Sequence, residues 1–387
     1  MTQVQTSKGS KWSNMCLRDK TDIYFNGVRS EIVKDIIQIS GFRIGKLPFK
    51  YLGVPISSKK ITKYEGQKLI ERIVIRIRAL GARHLSYAGR LILVQSVLAT
   101  MHSYWASFFL LHAGILKKVD SICRNFLWGG RDSYLRAPNV NWDKCCTPKE
   151  EGGGCLGLKN ASQWNRALLG KYTDWLATKK DHLCVKWVNH VYKKGCDWKD
   201  YSAPTDCIWF WKKIIHIKDK FKQGYVNELW LNQTIPYSVA AGYQWLRTKN
   251  AKVSWRFLYW NSLNVPRHSF IYWASQHCKL LTLDRMIKMG RGTATICYIC
   301  GVEPETHEHL FYKCEYSKIC MKLLQDYLHL SFLAEDMVKW FSTGRGRSGL
   351  QRVFTGACFV GVIYAIWNAR NRARIYHRLA APWILVK

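Results

Sequence analysis

Acidic residues are scarce in this chain of 387 residues, where 26 Asp and Glu stand against 60 Lys and Arg for a formal net charge of +34. A folded protein with so few carboxylates repels itself unless a polyanion lies against it. A membrane surface would require a concentrated basic amphipathic helix or a lipidation signal, but the basic residues are spread along the whole chain. We therefore expect RNA or DNA as the partner, with no membrane and no small-molecule substrate.

Long apolar runs are also missing. The N-terminal stretch MTQVQTSKGSKW has no apolar core and does not resemble a signal peptide. The longest apolar stretch, residues 354–367, has fourteen residues, which is shorter than a bilayer span. We expect an intracellular protein, nuclear or cytoplasmic and not secreted. In a reducing compartment the 14 cysteines are expected to be buried thiols or metal ligands rather than disulfides.

Hydrophobic periodicity predicts helices in the first half of the chain. Apolar side chains recur every three or four residues over residues 64–80, and residues 119–127 repeat the pattern. Ser86 is suited to cap a helix between these two segments. We predict an α-helical bundle over residues 64–128 that exposes Lys68, Arg72, Arg76, Arg83 and Arg90 to a nucleic acid. For any single arginine, a solvated charged face is the alternative.

The regions on either side of this bundle have other patterns. Short β-like runs at residues 23–25 and 49–56 flank a helical pattern at 30–38, which predicts the edge of a small α/β unit. Gly and Pro cluster between residues 129 and 163 and indicate a domain seam. Residues 164–260 are rich in Trp; interleaved with Lys and Arg, these rings could stack on unpaired bases, although at helical spacing they are more often core.

Four potential metal ligands follow the pattern Cys-x2-Cys-x8-His-x4-Cys: Cys297, Cys300, His309 and Cys314. Three thiolates and one imidazole make a closed tetrahedral zinc site with no open position for water, so we predict a structural zinc. On one continuous helix the last two ligands would lie about 140° apart, so the chain must break or tighten between them. Thr306 is suited to cap the turn that carries the histidine, and His307 and Cys320 are reserve ligands.

Charged residues around this zinc knuckle predict which part of it contacts phosphate. With only Lys313 opposing them, four glutamates surround the ligands: Glu303, Glu305, Glu308 and Glu315. The knuckle itself should therefore be a poor phosphate binder. We predict that it positions three basic residues just before it for phosphate contacts: Arg285, Lys288 and Arg291.

Several segments together resemble the reverse transcriptases of plant LINE-type (non-LTR) retrotransposons. The resemblance covers roughly residues 19–377 in the right order. LPFKYLGVPIS (47–57) resembles the segment after the polymerase palm, and residues 69–111 resemble the helical thumb, with ARHLSYAGRLILVQSVL (82–98) especially close. GGGCLGLKNASQWNRALLGKYTDWL (152–176) resembles the connecting region, residues 253–314 the zinc-binding domain, and residues 362–377 the helix that follows it.

The resemblance implies a fold and a function. It implies zinc ligation by the four residues named above and places a Leu-Thr-x-Asp-Arg signature on Leu281, Thr282, Asp284 and Arg285. Such a module helps to hold template RNA and target DNA. The Tyr-x-Asp-Asp signature that holds two catalytic metal ions is absent, and the chain has no Asp-Asp pair. Endonuclease and RNase H domains are missing too. We therefore expect no catalytic residues and a catalytically incompetent fragment that binds RNA or DNA with low sequence specificity.

The expected fold is mainly α. It comprises a palm-edge α/β remnant (1–58), a helical thumb-like bundle (59–130), a Trp-rich helical connecting region (131–250), a helical zinc-knuckle domain (251–335) and a C-terminal helix and tail (336–387). Three alternatives stay open: the C-terminal part of an active RNA-directed DNA polymerase whose catalytic half lies upstream, a host protein that reuses the zinc domain as an interaction module, and a pseudogene product.

Overall fold

The computed structural model describes residues 22–25, 28–46, 49–51, 54–56, 61–81, 85–133, 138, 140–148, 151, 156–198, 200–227, 236–251, 258, 261–329 and 349–386. The chain divides into two compact units, Met1–Gly66 and Gln67–Lys387. Helices dominate the described residues, which confirms the prediction of a mainly α fold. The finer division into five regions stays a prediction.

The first unit contains the predicted small α/β element. Its elements are β1 (Asp22–Ile23), α1 (Ser30–Ser40), β2 (Arg43–Ile44), β3 (Phe49–Tyr51) and β4 (Val54–Ile56). Strands β1 and β2 pair in parallel around α1, whereas β3 and β4 form an antiparallel pair with Phe49 opposite Ile56. Gly41 ends α1 in the left-handed conformation (φ 66°) and donates its amide to the Ile37 carbonyl at 2.9 Å. The single β-like run predicted over residues 49–56 is thus two short strands.

The predicted helical bundle follows as α2 (Lys63–Ala79), α3 (Tyr87–Leu93), α4 (Ala99–Ala106) and α5 (Ala113–Gly129). A π-helical turn, Val94–Leu98, joins α3 to α4. Ser86 caps α3 as predicted, because its hydroxyl accepts a hydrogen bond from the Gly89 amide at 3.2 Å. The apolar faces that the periodicity indicated are buried, with Ile73 and Phe126 among their fully enclosed side chains.

The next helices are α6 (Trp142–Cys145), α7 (Ala161–Ala177), α8 (Leu183–Val188), α9 (Trp209–Asn227) and α10 (Val239–Leu246). Helix α7 packs against α4, α5, α9 and α10. Its buried Asn165 holds the segment after α4 by donating to the Ala106 and Phe109 carbonyls at 2.7 and 2.8 Å. Trp198 and Trp211 are buried beside Phe221, in agreement with the core alternative for these rings, whereas Trp187 is 48% exposed.

The last helices are α11 (Pro266–Gln276), α12 (Leu283–Lys288), α13 (Glu315–Tyr327), α14 (Gly349–Tyr376) and α15 (Pro382–Val386). Helix α11 packs against both α3 and α14, and the rings of Tyr87 and Phe270 stack at 5.5 Å in the first of these contacts. Helix α13 packs on α14 and α15. The predicted metal ligands lie in the segment between α12 and α13.

Helix α14 contains the apolar stretch that was predicted to be too short for a bilayer span. The complete helix has 28 residues and is long and apolar enough to cross a membrane by length and composition. The expectation that this region is too short for a bilayer span therefore does not hold for the whole helix. A core helix of a soluble protein can meet the same criteria. One side of α14 packs on α11 and α13 and buries Phe359, Ile363 and the charged Arg370.

Candidate metal centre

A tight turn brings the first two cysteines together. Before and after this turn, Ile296 and Pro304 form an antiparallel bridge, and the Cys297 amide donates to the Glu303 carbonyl at 2.9 Å. The Gly301 amide then donates back to the Cys297 carbonyl at 2.9 Å. Gly301 has a φ of 68°, a conformation that a side chain would disfavour. This closed loop turns both sulfur atoms toward the same side.

A second turn supplies the other two ligands. The Thr306 hydroxyl accepts a hydrogen bond from the His309 amide at 3.0 Å, which confirms the predicted cap. A π-helical turn, His309–Lys313, follows, and Cys314 then leaves it in an extended conformation (ψ 132°) before α13 begins. The prediction that the chain breaks between the last two ligands is therefore confirmed. The wider turn places Cys314 on the side of His309 instead of around the helix from it.

The donor atoms of the four predicted ligands all lie within 4.8 Å of one another. The Cys300 sulfur is 3.3 Å from His309 Nε2. Ligands about 2.0 to 2.3 Å from a central ion fit inside such a cluster. Cys297, His309 and Cys314 are buried, and Cys300 is half-buried. Three thiols and one imidazole in this arrangement suit a four-coordinate metal ion with no position left for water.

Hydrogen bonds around the cluster favour metal-binding forms of the side chains. The amides of Ile299 and Cys300 donate to the Cys297 sulfur. A hydrogen bond with Cys314, together with burial, raises the pKa of Cys297, and the same hydrogen bond lowers the pKa of Cys314. A metal ion bound by both sulfurs would replace the proton of this hydrogen bond. His309 Nδ1 lies 2.9 Å from a Glu303 carboxylate oxygen, which leaves Nε2 to face the thiols.

The two reserve ligands lie outside the cluster. His307 Nδ1 is 3.1 Å from the Thr282 hydroxyl, and burial lowers the pKa of His307 to about 4. Cys320 is buried on α13, where burial raises its pKa to about 11. Across the described residues, Cys297, Cys300, His309 and Cys314 make up the one group of three or more such side chains close enough to hold a metal ion.

Glu305 does not belong to a surface ring of glutamates as the sequence predicted. Its side chain is 0% exposed and forms an ion pair with Arg370 of α14, which is 1% exposed. Arg370 donates through Nη2 to Glu305 Oε1 at 2.6 Å and through Nε to both carboxylate oxygens. The same carboxylate accepts the Leu283 amide at 3.0 Å and so caps α12. Glu305 thus fastens the metal-binding segment to α12 and α14.

The other predicted glutamates have nearby cations. Glu308 pairs with Lys313 at 2.8 Å, and Glu315 lies 3.5 Å from Lys318. Because Arg370 opposes Glu305 and Lys318 opposes Glu315, the expectation that only Lys313 opposes these glutamates is wrong, and Glu303 faces the imidazole of His309. Lys318 and Arg370 lie outside the segment from Cys297 to Glu315, so the local charge pattern of that segment does not reveal these pairs.

Two of the three basic residues predicted to contact phosphate are engaged within the protein. Arg285 is half-buried and donates to the Lys279 carbonyl, and burial lowers its pKa. Lys288 is exposed but lies 3.8 Å from the Asp284 carboxylate. Arg291 is exposed. The Leu-Thr-x-Asp-Arg signature is structural here, because Thr282 is fully buried and donates to Asp284 at 2.6 Å.

The predicted basic residues of the helical bundle also divide into two kinds. Arg72 and Arg76 are exposed on α2, and Lys68 is half-buried beside them. Arg90, predicted to be exposed, is half-buried and donates to the Leu85 and Leu127 carbonyls at 3.0 and 3.1 Å. It therefore ties α3 to the end of α5. Arg83 lies outside the described residues.

Comparisons with known proteins agree with this site. Residues 237–320 match the family described as zinc-binding in reverse transcriptase. The chain is 36% identical over 142 residues to a "Putative ribonuclease H protein" of Arabidopsis thaliana, covering 37% of this chain and 23% of that relative. It is also 26% identical over 126 residues to an uncharacterized mitochondrial protein of the same plant, covering 33% of this chain and 81% of that relative.

The metal cluster lies inside the matched residues, and together these findings define a retroelement-derived protein. The match of residues 237–320 to the family described as zinc-binding in reverse transcriptase confirms the resemblance found in the sequence. The chain spans less than a quarter of the length of the ribonuclease H relative, with 23% covered.

Proposed function

We propose that this protein binds RNA or DNA through its phosphate backbone, with little sequence preference, and does not itself polymerise nucleotides. The observation that carries the proposal is the net charge of +34 on a chain with a reverse transcriptase zinc-binding domain. Lys and Arg neutralise phosphates and release counterions whatever the base sequence. The missing Asp-Asp pair supports the second half of the proposal, because polymerisation through two metal ions requires paired carboxylates.

We assign zinc to the Cys297, Cys300, His309 and Cys314 cluster as a structural ion. The donor set and the hydrogen bonds to the sulfurs and to the imidazole support this assignment. Bound there, the ion would join the two turns into one knuckle. Through Glu305 and Arg370 the knuckle is in turn joined to α14.

Salt-dependent binding tests the proposed function. We expect a mobility shift of a mixed-sequence oligonucleotide at 50 mM NaCl, and an affinity that falls by orders of magnitude by 200 mM NaCl because counterion release drives binding. Oligonucleotides of unrelated sequence should compete equally. No shift at 50 mM NaCl would sink the proposal, and a primer-extension assay that yields product would refute the lack of polymerase activity.

A second candidate function follows from the partial match. Because residues 237–320 match a zinc-binding family of reverse transcriptases and the chain spans only 23% of the ribonuclease H relative, the second candidate is the C-terminal part of an active polymerase. Reading the genomic frame upstream of Met1 for a Tyr-x-Asp-Asp sequence separates the two functions. An intact catalytic sequence in frame would favour the polymerase.

A further inference from the structure

A group of cations lies where α14 meets α11. Arg267, near the start of α11, donates to the Tyr364 hydroxyl of α14 at 3.3 Å, and the ring of His268 stacks on Tyr364 at 4.2 Å. Burial acts to raise the pKa of Tyr364, but hydrogen bonds with Asn368 and Arg267 and the nearby charge of Arg372 lower it. This tyrosine therefore lies between two arginines.

The same cationic surface continues past the end of α14. Arg372 lies two helical turns beyond Tyr364 on the same side, about 12 Å along the axis. Arg372, Tyr376 and Arg378 line a cavity there together with Leu379 and Ala380. We call Arg267, Arg372 and Arg378, with the two tyrosines Tyr364 and Tyr376, the arginine face.

The three arginines keep their charge available. All three are exposed. In the part of the chain that the structure describes, none of them forms an ion pair with a carboxylate, whereas Lys288, Lys313 and Lys318 do. Arginines presented without a carboxylate are suited to bidentate contacts with phosphate oxygens.

The buried ion pair fixes this face to the metal centre. Arg370 is one of the residues between Tyr364 and Arg372, and its guanidinium is held by Glu305 of the knuckle and by Asn371 at 3.1 Å. Its charge also lies over the rings of Trp367 and Tyr298. Through Glu305, the knuckle therefore positions α14 as well as α12.

We propose that the arginine face is the main phosphate-contacting surface of the C-terminal helices, and that a single strand of nucleic acid runs along it with the exposed ring of Tyr376 beside its bases. This inference rests on the proposed nucleic-acid binding and names the surface that performs it. Arg372 lies about 12 Å along α14 from Tyr364, which Arg267 contacts, and this spacing suits successive phosphates. A tyrosine ring can stack on any base.

The test compares two triple variants that lose the same charge. The first is Arg267→Gln, Arg372→Gln and Arg378→Gln. The matched control is Lys117→Gln, Lys179→Gln and Lys194→Gln. All three residues are exposed: Lys117 lies on α5, Lys179 precedes α8, and Lys194 follows the π-helical turn after α8. Binding to a 30-nucleotide single-stranded DNA, and to RNA of the same sequence, is followed by fluorescence anisotropy from 50 to 300 mM NaCl. Thermal melting of each variant verifies that the fold is intact.

We expect the arginine variant to lower the slope of log K against log salt by about 2, because each lost single-strand phosphate contact removes about 0.7. The control should leave the slope nearly unchanged. DNA and RNA should respond alike, since the contacts are to phosphate.

Several results would overturn the inference. If the control variant lowers the slope as much as the arginine variant, binding is diffuse and the face has no special role. If the wild type binds vesicles with one-third phosphatidylserine more tightly than the oligonucleotide and the arginine variant loses that binding, the face is a membrane surface. Failure of the wild type to bind either oligonucleotide contradicts the proposed function as well, whereas wild-type binding with an unchanged slope in the arginine variant contradicts this inference alone.

Discussion

Glu305 and Arg370 form a charge pair that water does not reach, with 0% and 1% of their side chains exposed. Removing one partner of such a pair leaves the other charge buried without compensation. We expect Arg370→Met to lower the free energy of unfolding by about 3–5 kcal/mol. Urea unfolding at pH 7, followed by circular dichroism, measures this difference.

A double variant separates charge from packing in that experiment. Glu305→Gln with Arg370→Met removes both charges and should recover part of the loss, because the buried carboxylate is then neutral. Arg374→Met, one turn further along α14, controls for the substitution itself and should change stability by less than about 1 kcal/mol. If the single and double variants lose the same free energy of unfolding, the uncompensated Glu305 charge is not the cause of the loss.

Asp120 on α5 gives a residue-scale prediction about pH. Burial raises its pKa to about 6, although its carboxylate accepts a hydrogen bond from the Ala161 amide at 3.2 Å. The folded state thus binds a proton more tightly than the unfolded state, so this residue's contribution to stability falls as pH rises from about 4 to 6. Asp120→Asn removes the buried charge and keeps an acceptor for the Ala161 amide.

We therefore expect Asp120→Asn to be more stable than the wild type at pH 7.5, by on the order of 1–3 kcal/mol, and nearly equal to it at about pH 3.5. The exposed Asp326→Asn on α13 controls for the substitution itself, because Asp326 is not among the charges that act on Asp120. The urea midpoints of Asp120→Asn and the wild type, measured at both pH values, test this expectation. A difference between Asp120→Asn and wild type that is the same at both values would show that burial of the Asp120 charge is not its cause.

The residues of the metal centre could be predicted because their spacing is local. Cys297 and Cys300 lie on one turn, and the helix geometry required a break between His309 and Cys314. The pairing of Glu305 with Arg370 could not be predicted in this way, because 65 residues separate them and each is a common surface residue type. A buried ion pair depends on the tertiary contact between the knuckle and α14.

At the scale of elements, the metal knuckle should depend on its ion. A structural zinc contributes folding free energy to the segment it joins. We expect the purified protein to carry about one zinc per chain and Cys300→Ser to lose it. Mass spectrometry of metals measures the content, and hydrogen exchange should show reduced protection from the first turn through the start of α13.

Cys278 provides the control for that substitution, because it is an exposed cysteine outside the cluster. Cys278→Ser should keep both the zinc and the exchange protection. Wild-type protein without zinc after purification in a zinc-supplemented medium would remove the assigned site.

The sequence predicts which segments form helices with one apolar face, but it does not predict which helices these faces pack against. The period of residues 64–80 gives α2, and Ser86 gives the start of α3, because both signals are contained in a few consecutive residues. Arg90 shows the limit: its place on α3 could be predicted, but its hydrogen bond to Leu127 at the end of α5 could not. Such a contact depends on how two helices cross.

For the whole molecule, a net charge of +34 predicts opposite effects of salt on folding and on binding. Screening weakens the repulsion among cations in the free protein, since the Debye length falls from roughly 14 Å to 4 Å between 50 and 500 mM salt. The same salt removes the entropic gain from counterion release when a nucleic acid binds. We expect the melting temperature of the free protein to rise with NaCl over this range while its affinity for an oligonucleotide falls. Differential scanning fluorimetry, with sucrose as an uncharged control, measures the first effect. A melting temperature that falls with salt would show that exposed ion pairs such as Glu308 with Lys313 outweigh the repulsion among the exposed cations.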